Sequence, residues 1–567
     1  MATPVVGANL VPPTLEPPAE EKLDIEHAVV TDDPRKWSPA RKTSILIAVS
    51  GAAVICGLGA NLYNPAIAQI ESDLHASSGD ISWSISLYIL ILGDFPLVWS
   101  AFSEIYGRKK VYITSFGLGL IGCIVAALAK TTGVLIGMRV IQAAGASAVF
   151  AIGAATLADI YDPHVRGTMM GIYYSAPLLG PALGPIIGGA LTQAFDWRAT
   201  LWFIVIFTGL CFVAFIFFQD TFRRERSLTY QNVLRRRLKE RAAKGDNSRS
   251  GISILSHQTT VSTEAKLNDN EKVVAAFPDA STRGSSNVDV STRGLERQSV
   301  PSTQTAAVVA KEIKQIKLSL RDVNPVGPVI SVVSRPNNVC VLLTSALIFS
   351  FGYSVNYTCS RTLADKYGYD ALKIGLVLLS YGMGKYQCLS LIFIRVDVGY
   401  IGSMFGSVLG GRWSDYVFRR SKARNGGVSY AEMRLESTFI MMVFLPPSSI
   451  AFGWLCQKHV HIAAICVFLF FSGFFAISIY ASTLAYIVDA NTGRSAPAVA
   501  TNSAFRGTLA FIATEVAVPL QLAIGDGGLY TLWACLLILA DFLVLLAWWK
   551  GGNWREKAEQ KEAQNDS

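Results

Sequence analysis

Charge is scarce in this chain: only 16% of its 567 residues are Asp, Glu, Lys or Arg, where a soluble protein carries about 25%. That shortage excludes a string of ordinary soluble domains, which the length alone would suggest. Cysteine chemistry is missing too. The nine cysteines are scattered, mostly inside apolar runs (Cys56, Cys123, Cys211, Cys466, Cys535), with no CxxC pair; buried packing is their expected role. The six histidines show no metal spacing, and His459 and His461 read as loop residues. A Walker A sequence is lacking. Its nearest approach, Gly384-Lys385-Tyr386, has neither the hydroxyl residue nor the first glycine, which argues against an ATP-driven pump. Without a His, Cys or carboxylate cluster at one membrane face, neither an enzyme nor a cofactor or metal site is expected. The first residues lack the basic stretch and early apolar core of a cleavable signal.

What the chain has instead is apolar sequence, 51% hydrophobic with a mean hydropathy of +0.38, in blocks near the ~20 residues a helix needs to cross a bilayer. The runs are Thr43–Ala66, Ile81–Phe102, Val111–Ala129, Thr132–Ala158, Gly167–Ala194 and Ala199–Phe218. After a polar interval come Val339–Tyr357, Ala371–Leu409, Leu435–Cys456, Ile462–Val488, Ala496–Ala523 and Gly528–Trp549. The fold class expected is an all-α membrane protein of twelve transmembrane helices in two six-helix bundles. Its divisions are a disordered N-terminal tail (1–42), a first bundle (43–219), a largely disordered central loop (220–336), a second bundle (337–549) and a C-terminal tail (550–567). In the loop, Tyr230, Leu234 and Leu238 beside an Arg/Lys face suggest an amphipathic helix on anionic headgroups.

Basic residues set the orientation. Arg108 to Lys110 follow the second run, Arg223 to Arg237 hold six arginines after the sixth, and Arg419, Arg420, Lys422 and Arg424 follow the eighth. Loops of the other parity are short or acidic, so both termini and the central loop are expected in the cytoplasm. The net charge of +9 is then inner-leaflet charge, and a nucleic-acid partner is not expected.

The two halves repeat one pattern. Ser100-Ala-Phe-Ser-Glu104-Ile-Tyr-Gly107-Arg108-Lys109 leaves the second run, and Gly411-Arg-Trp-Ser-Asp415-Tyr-Val-Phe418-Arg419-Arg420 leaves the eighth. Parallel halves with such a repeat resemble the major facilitator superfamily, and these segments look like its motif A. The resemblance implies a cytoplasmic latch made by Glu104, Gly107, Arg108 and Lys109, repeated by Asp415, Arg419 and Arg420; Phe418 stands where the family has glycine. Arg139-Val-Ile-Gln142-Ala-Ala-Gly145 resembles motif B, whose arginine the family links to proton coupling. Gly180-Pro181-Ala-Leu-Gly184-Pro185-Ile-Ile-Gly188-Gly189 resembles motif C, characteristic of antiporters. Asp159-Ile-Tyr-Asp162, Asp196-Trp197-Arg198, Asn502-x-x-x-Arg506 and Trp554-Arg555 are similar to the fungal twelve-span drug:proton antiporters, nearest the quinidine-resistance-like branch.

That resemblance implies a proton-coupled exporter of small organic compounds, monomeric, in the plasma or vacuolar membrane, with small-molecule substrate, protons and the lipid bilayer as partners. The alternatives are proton-coupled uptake or a nontransporting sensor of the same fold. Sites in this fold lie near the bilayer midplane between the halves. At that depth Asp94, Arg139 and Glu515 are proton-coupling candidates, since ionisable groups in lipid are costly; Asn61, Asn64, Gln142, Asn502 and Arg506 are substrate-cavity candidates. Arg506 and Glu515, nine apart, fall close to one helix face. Asn356-Tyr-Thr358 is a glycosylation sequon at the outer end of the seventh run, expected to lie too near the membrane for use.

The overlong eighth run carries one anomaly. Residues 385–402 interrupt it with Lys385, Arg395 and Asp397; removing them leaves a single crossing and restores the family-like glycine pattern. An extra crossing there would invert the basic loops. Gly384-Lys385-Tyr386 can be encoded with an internal GTAAGT, a donor-splice sequence, so the segment is read as a retained intron, the alternative being a real insertion that forms a loop beside a broken helix.

Overall fold

The computed structural model describes residues 32–162, 176–227, 326–386, 405–427, 430–491 and 495–566, with isolated residues among 165–173, 229–237 and at 316. Contacts group residues 33–222 with 319–567 in one unit, which holds every membrane span, and residues 1–32 with 223–318 in another. In the second unit Arg223 pairs with Asp32 at 2.7 Å. Leu238, residues 246–305 and residues 387–404, which include all but the first two residues of the suspected insertion, lie outside the described residues.

Among the described residues nine helices are long and apolar enough to cross a membrane. The last, Pro497–Glu562, contains two crossings folded at Gly525, whose φ of 71° is the left-handed region that favours glycine. The fifth crossing is Leu179–Ala194, and the eighth is carried by Ala371–Tyr386 and Phe405–Arg424. These twelve crossings form two six-helix bundles, the multi-pass architecture that the hydropathy blocks imply.

Local chemistry sets the ends. Ser77 and Asp80 form a reciprocal capping box at the start of span two, Thr131 caps span four, and Asp196 caps span six on the amide of Ala199. Each satisfies amides that the first helical turn leaves open. Span two is broken into Ser78–Asp94 and Pro96–Tyr106, because Pro96 has no amide hydrogen to continue the ladder. The chain then turns at Gly107 (φ 88°) into span three, Arg108–Ala127. A Cβ on Gly107 would lie 3.1 Å from the Asp220 carboxyl carbon, so the turn is closed to any larger residue.

Span ends differ from the hydropathy reading in three places. The first helix begins at Pro39, inside the expected tail, where Pro at the first helical position and Ser38 before it favour an earlier start. The last helix continues to Asp566 and is tied down by Arg555 to Glu432 (3.3 Å) and by Glu562 to Arg335 (2.9 Å). Span seven runs from Pro336 to Tyr367, ten residues beyond the apolar run. The added turns are rich in Thr358, Ser360, Arg361 and Thr362 and read as loop, but their polar groups find partners inside the protein.

Apolar packing forms one cluster within each half. A third is shared, joining Tyr63, Ile81 and Ile85 of the first half to Tyr357, Ala510 and Val518 of the second. It lies at the end where span one finishes. The halves also meet along two glycine seams. On one, a Cβ at Gly93 of span two would be 2.6 Å from Gly507 Cα of span eleven. On the other, a Cβ at Gly189 of span five would be 2.9 Å from Leu372 Cα of span eight. Only missing side chains allow backbones this close.

Candidate transport site

Arg139 stands two turns into span four, 1% exposed. Its Nη2 donates to the Gly59 carbonyl (3.1 Å) and its Nε to the Ser84 carbonyl (3.4 Å). The rings of Tyr63 and Tyr88 face its Cζ at 4.4 and 4.6 Å. Carbonyl dipoles and two aromatic faces therefore replace a counter-ion, and Nη1 is left without a hydrogen-bond partner. One turn later Gln142 is equally buried, with neither amide atom partnered. Gly59 makes room here: a Cβ would fall on the Tyr88 hydroxyl and lie 3.4 Å from Gln142 Nε2.

The asparagines join spans one and seven. Asn61 donates to the Gly57 carbonyl at 2.8 Å and accepts from Asn356 Nδ2 at 3.2 Å. Asn356 is thus not at the outer end of its span but buried within it, 3% exposed. Asn64 is buried in the turn that ends the first span, and its Oδ1 has no partner. At the same end Tyr357 donates to the Ser78 carbonyl (3.4 Å), and Arg361 pairs with Glu71 across the halves (3.4 Å).

Both carboxylate candidates lie on the seam between spans two and eleven. Glu515 accepts a hydrogen bond from the Ser86 hydroxyl, and Ser82 donates to the Thr514 carbonyl beside it (3.2 Å). Asp94 accepts from Thr508 at 3.4 Å. Its helical spacing places it on the stripe that includes Trp83 and Val98, which are 45% and 38% exposed. Asp94 is therefore at the outward edge of the seam rather than at the centre, where a reading of depth alone placed it.

The nine-residue spacing does not bring Arg506 to Glu515. Nine residues span about 13 Å of helix, and each residue has its own partner. Arg506 donates from Nη1 to the Tyr480 hydroxyl at 2.6 Å, and its Cζ stacks at 3.8 Å from the Phe349 ring centre and 4.7 Å from that of Tyr480. Its Nε is buried without a partner, as is Oδ1 of Asn502 one turn earlier.

The motif A residues gather inside the first half. Arg108 meets Glu104 at 3.5 Å and Asp159 at 3.4 Å, donates to Ser103, and receives Asp220 on its backbone amide at 3.0 Å. A continuous helix between Glu104 and Arg108 is not what joins them, because the chain turns at Gly107. Among the described residues, no bond joins Lys109 to the second half. In the second half the helix runs on to Arg424, leaving Arg419 and Arg420 exposed. There Arg434 pairs with Asp489 and stacks on Phe418 (4.8 Å). Phe418, which stands where the first half has Gly107, lies within an unbroken helix, so the tight glycine turn is not repeated. The side chains of Asp415 and Pro181 lie outside the described residues.

Motif C lines span one. A Cβ at Gly180 would fall on the backbone of Gly57, one at Gly184 would be 2.9 Å from Asn61 Cβ, and one at Gly188 would be 3.0 Å from the Leu62 carbonyl carbon. Gly189 and Pro185 instead abut Ala371 and Gly375 of the other half. The sequence reading passed over Asp541, a carboxylate within span twelve that has no hydrogen bond or ion pair among the described residues. It also missed the pairs made by Arg335, Arg434 and Arg555, whose partners are distant in sequence. For Asp541 the signal was present, as an acid inside Gly528–Trp549.

The model of the Major Facilitator Superfamily matches residues 49–501. The chain is 27% identical to "MFS antiporter QDR3" of Candida albicans over 93% of its own length and 80% of that protein's. It is 26% identical to "Quinidine resistance protein 3" of Saccharomyces cerevisiae, covering 92% and 84%. "Citrate exporter 1" of Aspergillus niger is 23% identical, covering 97% and 92%. A partially occluded inward-open structure of the E. coli xylose transporter XylE shares the fold with a TM-score of 0.54 at 12% identity, covering 90% of this chain and 97% of that one. The chain belongs to the Major Facilitator Superfamily, as a multi-pass membrane transporter whose relatives are fungal drug-resistance and efflux transporters.

Proposed function

We propose that this transporter exports small organic compounds in exchange for inward-moving protons, by alternating access, as a monomer in the plasma membrane. The observation that carries this reading is that Asp94 and Glu515 each accept a hydrogen bond from a hydroxyl across the seam between the halves, Thr508 and Ser86. A proton on either carboxylate weakens a charge-assisted bond, so protonation changes the stability of the closed seam. Asp94, Arg139 and Glu515 are the coupling residues in this proposal, with Asn61, Asn64, Gln142, Asn502 and Arg506 toward the substrate. The resemblance of Gly180 to Gly189 to motif C supports exchange over uptake. Relatives named for quinidine resistance and citrate export point to a drug or organic acid as cargo.

The basic loops put both termini in the cytoplasm. The contacts of Glu71, Ser78, Asn61 and Ser86 with the second half then close the outer side, leaving the cytoplasmic side as the one that opens. The Arg108 cluster would join the other half as a cytoplasmic latch in the opposite state. Each proton entering through ~150 mV releases about 3.5 kcal/mol, which supports a concentration ratio of roughly several hundred. Vesicles loaded with labelled compound test the proposal. Export should stop when a protonophore collapses the gradient, and Glu515→Gln should uncouple it while the protein still inserts. Export that persists without a gradient would refute proton coupling.

A further inference from the structure

Beyond Arg41 at the start of span one, which stacks on the Trp37 ring at 3.7 Å, three kinds of guanidinium group can be told apart in the membrane unit. Arg108, Arg335, Arg361, Arg434 and Arg555 each meet a carboxylate. Arg139 is sealed among carbonyls and two tyrosine rings. Arg506 is different. It is only partly buried, no carboxylate approaches it among the described residues, and its contacts are the Tyr480 hydroxyl and the faces of Phe349 and Tyr480. Arginine stays charged at every working pH, so this group is a fixed cation rather than a proton carrier. A fixed cation in a low-dielectric interior is costly without a counter-charge. Stacking on two rings orients the planar fork and lowers the loss of freedom on binding.

We propose that Arg506 is the recognition residue for an organic anion, an aromatic or otherwise apolar carboxylate, held in the path between the halves. This names the substrate class of the exporter proposed above and rests on that reading for the path. The guanidinium takes the carboxylate through two parallel N–H···O bonds. The orphaned Nε of Arg506 supplies one of these donors, and Phe349, Tyr480 and Tyr353, which meets Phe349 edge to face at 4.9 Å, offer aromatic surface for the body. The two seam carboxylates do not compete for Arg506, since each is held by its own hydroxyl. Charge gives a second consequence. Moving a monoanion out while a proton moves in carries positive charge inward twice, so an inside-negative potential drives this exchange. The exchange of a monovalent cation for one proton would not respond.

Three probes of one shape test the assignment: 1-naphthoate, 1-naphthamide and 1-naphthamidine, measured by equilibrium binding to the purified full-length protein in detergent. Wild-type protein should bind the naphthoate at least about ten-fold more tightly than the amide, the worth of a charge-assisted pair. Arg506→Gln should erase that preference, and Arg506→Lys should keep part of it. Failure of wild-type protein to bind naphthoate, or a preference for the amidine, overturns the proposal without any variant having to fold. A naphthoate-to-amide ratio unchanged by Arg506→Gln also overturns it. Proton-driven flux, measured separately in vesicles, tests the exporter reading: amidine flux with no naphthoate binding defeats the anion site alone. Naphthoate binding that needs Arg506, with no proton-driven flux of any probe, defeats coupling alone.

Discussion

Replacing Gly93 with valine should hold the outer side of the transporter open. A Cβ at Gly93 lies 2.6 Å from Gly507 Cα, 2.8 Å from the Ser503 carbonyl and 3.0 Å from Gly507 N. The reciprocal Cβ at Gly507 lies 2.8 Å from Gly93 Cα. All of these atoms are backbone, so no rotamer change relieves the clash, and spans two and eleven must separate by about 1 Å to reach ordinary contact. Overpacking of this kind costs about 1–3 kcal/mol. Because the cost falls on the closed seam and not on an open one, it shifts the two-state balance by roughly five- to 150-fold. A reporter is available in Ser82, whose hydroxyl bonds Thr514 across the same seam. In a Ser82→Cys background, Gly93→Val should raise labelling by an impermeant thiol reagent by that factor and slow transport. Gly137→Ala is the control, since nothing lies within 4 Å of its added Cβ. Equal labelling in the two variants would refute the view that this seam is the one that opens.

Arg108→Gln should lower stability by about 3–5 kcal/mol, because it removes the buried cation that Glu104 and Asp159 share. Lys109→Gln should change it by less than about 0.5 kcal/mol; thermal unfolding of the solubilised variants decides, and equal shifts would count against the cluster. The intron reading of residues 385–402 predicts a dominant transcript without those 54 nucleotides, eighteen codons of the sequence. Transport by a protein translated from a message that retains them would contradict it.

How much of this was legible before the fold was known depends on whether the signal is local. The spans are legible because a helix facing lipid must be apolar along its length. Motif C is legible because each of its glycines answers to a neighbouring backbone at fixed spacing, as Gly180 and Gly184 do against Gly57 and Asn61. Partners are not legible in this way. Nothing near Asp489 in the sequence reveals that Arg434 will reach it, fifty-five residues away. The turns from Thr358 to Arg361 read as loop because hydropathy counts polar atoms without seeing that Tyr530, Asn356 and Glu71 satisfy them. Depth was legible for Asp94, but not azimuth: only the packing of Gly93 on Gly507 fixes which way the next side chain faces.

The division of interactions between the halves has a physical logic suited to a moving part. Strong, buried charge pairs such as Arg108–Asp159 and Arg555–Glu432 stay within one half, where breaking them is never required. Between the halves the contacts are glycine against backbone and single hydrogen bonds such as Asn356–Asn61 and Ser82–Thr514, with one partly exposed ion pair among the described residues, Arg361–Glu71. Each such contact contributes about 1 kcal/mol or less, so the closed face is held by a sum of small terms. A sum of that kind can be tipped by a few kcal/mol, which is the scale that one proton or one bound anion supplies. Had the seam been closed by several buried ion pairs, at about 3–5 kcal/mol to break each, neither would suffice. The glycines on both seams therefore do two things at once: they bring the halves into contact, and they keep that contact weak enough to reverse.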